Sequence, residues 1–263
     1  MWTIASWNVN SLKVRLPQVL QWLDAHRPDV LALQETKTQD EGFPAGAFHE
    51  TGYQVAFSGQ KAYNGVALAS RNPNPIEVLH TGLPGFDDPQ KRVLCALVGD
   101  VCVVNLYVPN GSEVGSDKYA YKLDWLARLD AFTGELLQRY DKLILLGDFN
   151  ITPADADVHD PKAWRDRIHC SKPERDALAG LLSRGLTDTF RLFEQEQHSF
   201  SWWDYRAGDF AHNRGLRIDL ILASNPLQRH CADSWTDIAP RQQPRPSDHT
   251  PVIAEFRIES QKT

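Results

Sequence analysis

Short apolar runs recur along this chain, and one after another ends on a carboxylate or an amide. Val30-Leu31-Ala32-Leu33 is followed by Gln34-Glu35-Thr36-Lys37, and Leu143-Ile144-Leu145-Leu146 by Gly147-Asp148-Phe149-Asn150. Runs this short read as buried strands, because a buried helix needs about ten residues or more. Thr3 to Val9 reads as a first strand, with Asn8 and Asn10 at its end. Val101 to Tyr107 reads as another, followed by Val108-Pro109-Asn110. Gln54 to Phe57, Val66 to Ala69 and Val93 to Val98 add hairpin strands, the last joined to Val101 through the turn dipeptide Gly99-Asp100. Strand-like segments return at Phe200 to Trp203, Ile218 to Ala223 and Val252 to Ile258.

Amphipathic stretches lie between these runs. Ser11 to Ala25 places Leu16, Val19, Leu20 and Leu23 at helical spacing, and Lys118 to Tyr140 carries the same period. A further helix is opened by Ser171, with Pro173 and Glu174 in its first turn. Helices and hairpins mix in both halves, and no Gly/Ser-rich linker or charge run divides them. With 42% of 263 residues hydrophobic, the expectation is one α/β domain over residues 1–258, mixed sheets covered by helices, and a short polar tail at 259–263.

Cys95, Cys102, Cys170 and Cys231 form no CxxC pair and no even ladder, so neither a zinc site nor a disulfide framework is indicated. A reducing cytosol suits them, and no apolar stretch is long enough to span a membrane. A soluble, cytoplasmic protein is expected. The net charge of −6 is opposite to the basic excess of most DNA-binding domains. Net charge does not report distribution, however, and an enzyme that gathers carboxylates around a metal can be acidic overall while one face stays basic.

In layered α/β folds, sites form outside strand ends, where loops converge without burying unpaired backbone groups. Several strand ends carrying carboxylate or amide oxygen therefore suggest one shared site. Taken singly, Asn8 and Asn110 read more readily as turn residues than as site residues. Glu35 at the mouth of a buried strand needs a cation or hydrogen-bond donors. Asp148 and Asn150, two apart, fall on one side of an extended segment, or else form an Asx turn. In Ser247-Asp248-His249-Thr250, a second carboxylate such as Asp219 can orient the imidazole. Oxygen ligands favour a hard cation, Mg²⁺ or Mn²⁺, and such a cation beside a cationic His suits a phosphate diester.

Six motifs stand in one order: Ser6-Trp7-Asn8-Val9-Asn10, Leu33-Gln34-Glu35-Thr36-Lys37, Tyr107-Val108-Pro109-Asn110, Gly147-Asp148-Phe149-Asn150, the block from Ser201-Trp202-Trp203 to Arg217-Ile218-Asp219-Leu220, and Ser247-Asp248-His249. In this order and over nearly the whole chain, they resemble exonuclease III and the abasic-site endonucleases, within the endonuclease/exonuclease/phosphatase superfamily. The resemblance implies a four-layer α/β sandwich, two packed mixed β-sheets flanked by helices, with the site at one end of the sheets.

The resemblance also implies roles. Glu35 would hold Mg²⁺, for which Mn²⁺ substitutes, with Asn10 and Asp248 near the same or a second cation position and Asn8 setting the carboxylate network. Asp148, assisted by Asn150, would orient and deprotonate the attacking water. His249, held by Asp219, would stabilise the pentacovalent phosphate, Tyr107 would contact phosphate, and Lys37 would support the ligand shell. Trp202, Leu216 and Ile218 would wall a pocket for an abasic sugar, and Asn110 joins the substrate-binding set.

The implied function is metal-dependent DNA repair on duplexes with abasic sites or 3′ ends, by a monomer: 3′→5′ exonuclease, 3′-phosphatase, 3′-phosphodiesterase and abasic-site endonuclease. A phosphatase of lipid or nucleotide substrates is the competing reading, since the wider superfamily reuses the same metal and Asp-His pair. Two departures from the resemblance stand out. Gly111-Ser112-Glu113-Val114-Gly115 lacks an arginine that some relatives use to probe DNA. His169, just before Cys170-Ser171-Lys172-Pro173, stands where relatives tend to carry a small residue. At a pocket mouth it would disfavour internal abasic incision; on a surface loop facing water it would do nothing.

Overall fold

The period-two alternation of the strands decides the layering. The computed structural model describes residues 1–71 and 75–258. In chain order the strands are β1 (Trp2–Asn8), β2 (Val30–Gln34), β3 (Gln54–Ser58), β4 (Val66–Ser70), β5 (Glu77–His80), β6 (Val93–Val98), β7 (Val101–Tyr107), β8 (Leu143–Asp148), β9 (Leu186–Asp188), β10 (Asp219–Ser224), β11 (Cys231–Thr236) and β12 (Val252–Phe256). The α-helices are α1 (Leu12–His26), α2 (Ala45–Glu50), α3 (Asp117–Arg139), α4 (Pro161–Trp164), α5 (Lys172–Ser183) and α6 (Asn225–Gln228).

One sheet runs β11-β12-β1-β2-β4-β3 and the other β5-β6-β7-β8-β10-β9. Ile4, Val30, Ala32, Val66 and Leu68 of the first meet Leu94, Ala96, Val103, Ile144, Leu146 and Ile221 of the second in a core between the sheets. The alternate residues Ala5, Trp7, Leu31 and Leu33 pack outward with Leu12, Val19, Trp22 and Leu23 of α1. On the far side, Val104, Leu143 and Leu145 pack with Trp125, Leu126 and Leu129 of α3 and Leu178 and Leu181 of α5. Three cores separate four layers, as the resemblance implied.

Each sheet contains one parallel pair, β1 with β2 and β7 with β8, and all other pairings are antiparallel. The parallel pairs require crossovers, which α1 and α3 supply. Consequently the C-terminal ends of β1, β2, β7 and β8 lie at the same edge as the N-terminal ends of the antiparallel β10 and β12.

The sequence-predicted strands and helices fall within a residue or two of these bounds, with one exception. Phe200 to Trp203, expected as a strand, forms only isolated bridges, from Trp202 to Leu216 and to His249. Here Trp202 ties two loops together rather than extending a ladder. The strands not anticipated, β5, β9 and β11, all stand at sheet edges. β5 and β11 are half-exposed and polar-rich, and β9 is only three residues long, so these strands carry little of the apolar signal that marked the interior ones. The expected tail, 259–263, lies outside the described residues. Among the described residues no helix is long and apolar enough to cross a membrane.

Candidate active site

Strand parity carries the polar side chains into the gap between the sheets. In β1 the inward series is Trp2, Ile4, Ser6, Asn8; in β7 it ends Asn105, Tyr107; in β8 it is Ile144, Leu146, Asp148; in β10 it begins Asp219, Ile221. Each strand thus turns polar on its inner face at the same edge. The last buried layer below the site is a hydrogen-bonded floor: Gln34 Nε2 donates to Asn105 Oδ1 at 2.7 Å, and Asn105 Nδ2 donates to Leu33 O and Ala67 O across the sheets. Above it, β8 brings Asp148 into register with Tyr107 on one side and Asp219 on the other.

Asx turns then aim the side chains. Asn10 N–H donates to Asn8 Oδ1 at 3.0 Å, Asn150 N–H to Asp148 Oδ1 at 2.9 Å, and Ser112 N–H to Asn110 Oδ1 at 3.0 Å. In all three the second residue has positive φ: Asn10 42°, Asn150 51°, Ser112 62°. Turn chemistry and site chemistry are therefore the same residues, and Asn150 leaves the chain in a turn rather than along an extended segment. Glu35 and Lys37 also have positive φ, 50° and 53°. Such strain concentrates where surrounding packing over-determines a site. Gly147 has φ 141°, and a Cβ there would lie 1.9 Å from Leu106 O, so only glycine lets β8 deliver Asp148 this close to β7.

Asn8 is the hub: its Nδ2 donates to Glu35 Oε1 and to Asp148 Oδ2, both at 2.9 Å. Lys37 Nζ pairs with Glu35 Oε2 at 2.9 Å and also donates to Asn10 Oδ1. Asn10 Nδ2 donates to Asp248 Oδ1 at 2.9 Å, and Trp202 Nε1 donates to Asp248 Oδ2 at 3.1 Å. His249 Nδ1 lies 2.9 Å from Asp219 Oδ2, and its Nε2 lies 3.7 Å from Asp148 Oδ2. Asp219 Oδ1 is buried without a partner.

Burial alone would push the His249 imidazolium down, but the carboxylates of Asp219 and Asp148 outweigh it and raise the pKa to about 10. Burial raises Asp148 to about 7, against the lowering effect of His249. At neutral pH the imidazole thus keeps its proton, and the Asp148 carboxylate titrates near the pH at which a base works best. Tyr107 is pushed well up by burial and then by the charges of Glu35 and Asp148, so its phenol stays protonated as a donor.

Glu35, Asp148 and His249 offer atoms within 4.8 Å of one another, a spacing that fits a metal ion. A protonated imidazole has no lone pair to give, so Glu35 and Asp148 would be the donors to an ion here, and two carboxylates would suit a hard divalent cation. Asn8 was expected among the metal ligands; it presents its N–H₂ to the carboxylates while its oxygen is occupied by Asn10 N–H, so here it orients them. Asn10 and Asp248 form a linked pair beside the carboxylates, each with its side-chain oxygens already accepting hydrogen bonds.

Of the expected pocket walls, Leu216 and Ile218 are buried in a small cluster with Val158 and Cys170, and Trp202 and Trp164 form its rim. Leu216 exposes no surface, so it backs the wall rather than facing outward. His169 is 5% exposed, which overturns the water-facing alternative. Its Nδ1 donates to Asn150 O at 2.7 Å and its ring lies 6.4 Å from those of Trp202 and Trp164. Burial lowers its pKa to about 3, with the Lys122 charge acting in the same direction. Asn110 Nδ2 reaches Asn150 Oδ1 at 3.4 Å and sits 3.5 Å from His169 Nε2.

Residues that sequence reasoning did not single out hold this set in place. Arg92 lies over the Tyr107 ring at 4.7 Å and donates to Tyr107 O. Ser201 Oγ accepts the N–H groups of Ile218 and Asp219, both at 3.0 Å. Arg15 Nη1 bonds Asn10 O, and its Nη2 donates to Pro246 O and Tyr205 OH at 3.0 Å. These contacts join segments far apart in the chain, so no local spacing announces them.

A family model described as Endonuclease/Exonuclease/phosphatase family matches residues 5–249. Exodeoxyribonuclease III of Haemophilus influenzae is 36% identical, over 96% of this chain and 98% of its own. A 3′-5′ exonuclease of Neisseria meningitidis is similar in structure, with a TM-score of 0.94 and 47% identity over 97% of this chain and 99% of that one. An AP endonuclease of Archaeoglobus fulgidus superposes with a TM-score of 0.93 and 38% identity, covering 98% and 100%. The chain belongs to the endonuclease/exonuclease/phosphatase family, in its exodeoxyribonuclease III and AP endonuclease branch.

Proposed function

We propose that this protein is a Mg²⁺-dependent DNA repair phosphodiesterase that works on 3′ ends, trimming 3′→5′ and removing 3′ phosphates, in preference to incising internal abasic sites. The observation that carries the chemistry is the buried line Asp219–His249–Asp148, joined through Asn8 to Glu35. Glu35 and Asp148 would hold the Mg²⁺, which would supply Lewis-acid stabilisation of a phosphoryl oxygen.

The residues of the chain supply the rest. Asp148 Oδ2, with Asn8 fixing its rotamer, takes a proton from water as the water oxygen bonds to phosphorus. The bond from phosphorus to the departing oxygen breaks on the opposite side, and that oxygen takes up a proton from solvent to leave as a hydroxyl. His249, kept cationic by Asp219, donates to the phosphoryl oxygen whose charge grows in the transition state. Asn150 and the Tyr107 hydroxyl offer further donors. Cleavage of the 3′-terminal phosphodiester leaves a 3′-hydroxyl strand and a nucleoside 5′-monophosphate; a 3′-phosphomonoester leaves a 3′-hydroxyl and inorganic phosphate.

The preference for 3′ ends rests on His169. Its buried, neutral ring sits between Asn150 and the Trp202–Trp164 rim, taking volume that an abasic sugar swung out of a continuous duplex would need. Fitting the sugar against it costs about 1–3 kcal/mol of packing strain, roughly ten- to a hundredfold in rate. A 3′ terminus needs no continuous strand past that point. Duplex DNA with such ends is the proposed partner, bound by a monomer in the cytoplasm.

The test is a panel of end-labelled duplexes carrying an internal abasic site, a 3′ phosphate, or a recessed normal end, each with Mg²⁺ and with chelator. Wild type should process 3′ ends faster than it incises, and His169→Gly should raise incision selectively. An unchanged ratio would remove His169 from substrate selection.

A further inference from the structure

Lys122 stands in the second turn of α3, fully buried, at helical spacing on the face that also carries Tyr119, Trp125, Leu126 and Leu129. An ammonium at such a position is stable only when every donor is used. Here every one is: Nζ donates to Glu174 Oε1 at 2.5 Å, to Asn150 O at 2.7 Å and to Asn110 O at 3.1 Å. Glu174, equally buried in the first turn of α5, accepts His169 N–H at 3.0 Å, Ser171 N–H at 3.1 Å and Ser171 Oγ–H at 2.6 Å.

The partners are the loops after β7 and β8 and the loop before α5. All three carry side chains of the site: Asn110, Asn150 and His169. The carbonyl of Asn150 receives both Lys122 Nζ and His169 Nδ1–H. A carbonyl can only accept, so this contact fixes the histidine proton on Nδ1. The loop after β7 also packs on the lysine stem: a Cβ on Gly111, which has φ +90°, would lie 3.0 Å from Lys122 Cδ and 2.8 Å from Ile168 Cδ1.

We infer that the buried Lys122–Glu174 pair is a positioning device of the active site, holding Asn110, Asn150 and His169 at their working separation and fixing the tautomer of His169. The effect on turnover rests on the nuclease reading above; the fixed tautomer does not. Apolar residues of similar volume fill a core at least as stably as a buried ion pair. This pair is bonded instead to the backbone of three loops that meet at the chemistry. Loop displacements of about 1 Å are enough to cost up to roughly a hundredfold in rate.

The test compares wild type with Lys122→Met/Glu174→Leu, which removes both charges together, and with Glu174→Gln, which keeps the shape but replaces an acceptor of Ser171 by a donor. The readouts are kcat and KM on a 3′-phosphate duplex and the ring ¹⁵N shifts of His169. The double variant should lose about 10- to 100-fold in kcat with KM within about threefold. Its His169 should move from a fixed Nδ1–H tautomer to a mixture. Glu174→Gln should show smaller changes in the same direction, and it decides the matter alone if the double variant does not fold. A folded variant with kcat within about twofold of wild type and an unmoved His169 would overturn the inference. Should wild type cleave no DNA substrate, the nuclease reading fails, and the ring shifts by themselves then support or overturn the positioning role.

Discussion

His249 Nδ1 lies 2.9 Å from Asp219 Oδ2, and Asp219 stands directly opposite Asp148 in the β8–β10 register. The imidazole therefore closes a line between two carboxylates that neighbouring strands hold side by side. Its proton is fixed by the fold, before any substrate arrives.

Removing the inner carboxylate should release that proton. His249 is raised to about 10 because Asp219 and Asp148 outweigh burial. In Asp219→Asn, burial gains ground, the imidazolium titrates at lower pH, and the alkaline limb of the kcat profile should move toward neutrality, with roughly 10- to 100-fold lower kcat at pH 8. An alkaline limb in the same place as wild type would contradict the proposed role of Asp219.

Glu35→Gln should raise the Mg²⁺ concentration needed for activity and lower turnover by roughly 10² or more while leaving the protein folded. Burial raises Asp148 to about 7, and a bound cation opposes this by stabilising the carboxylate. The acid limb of the wild-type rate profile should accordingly move to lower pH as Mg²⁺ is raised. Equal activity of wild type and Glu35→Gln at limiting Mg²⁺ would refute the assignment.

The neutrality of His169 has a consequence for stability. Its pKa falls from 6.5 to about 3 through burial, so the unfolded chain takes up a proton below pH 6.5 while the native chain does not. The contribution of this group is present above 6.5 and is lost as pH falls toward 3, at up to ~1.4 kcal/mol per pH unit. Denaturant titrations of wild type and His169→Gln between pH 7 and 4 should show the steeper acid loss in wild type; parallel curves would mean that His169 protonates in the folded protein.

Much of this site is legible in the sequence because strand ends and chemistry coincide. The apolar runs of β1, β2, β7 and β8 hand over to a functional residue within two positions, as Leu146 does to Asp148 and Leu33 to Glu35. Edge strands such as β5 and β11 are less legible, since half-exposed residues need not be apolar. Roles set by hydrogen-bond direction are not legible either: the sequence offers Asn8 an oxygen and an N–H₂ alike, and only Asn10 N–H decides which faces the carboxylates. Lys122 is an intermediate case. A lysine on the apolar face of a long helix is a visible anomaly, but its partners lie 12, 28 and 52 residues away.

The most direct measurement is single-turnover cleavage of a 3′-phosphate duplex by Asp148→Asn at saturating Mg²⁺, with DNA binding measured in parallel. Loss of the base that takes the proton of water should slow the chemical step by roughly 10² to 10⁴, with Kd for DNA within a few-fold of wild type. A variant that binds DNA poorly yet cleaves the bound fraction at the wild-type rate would contradict the proposed chemistry at its centre.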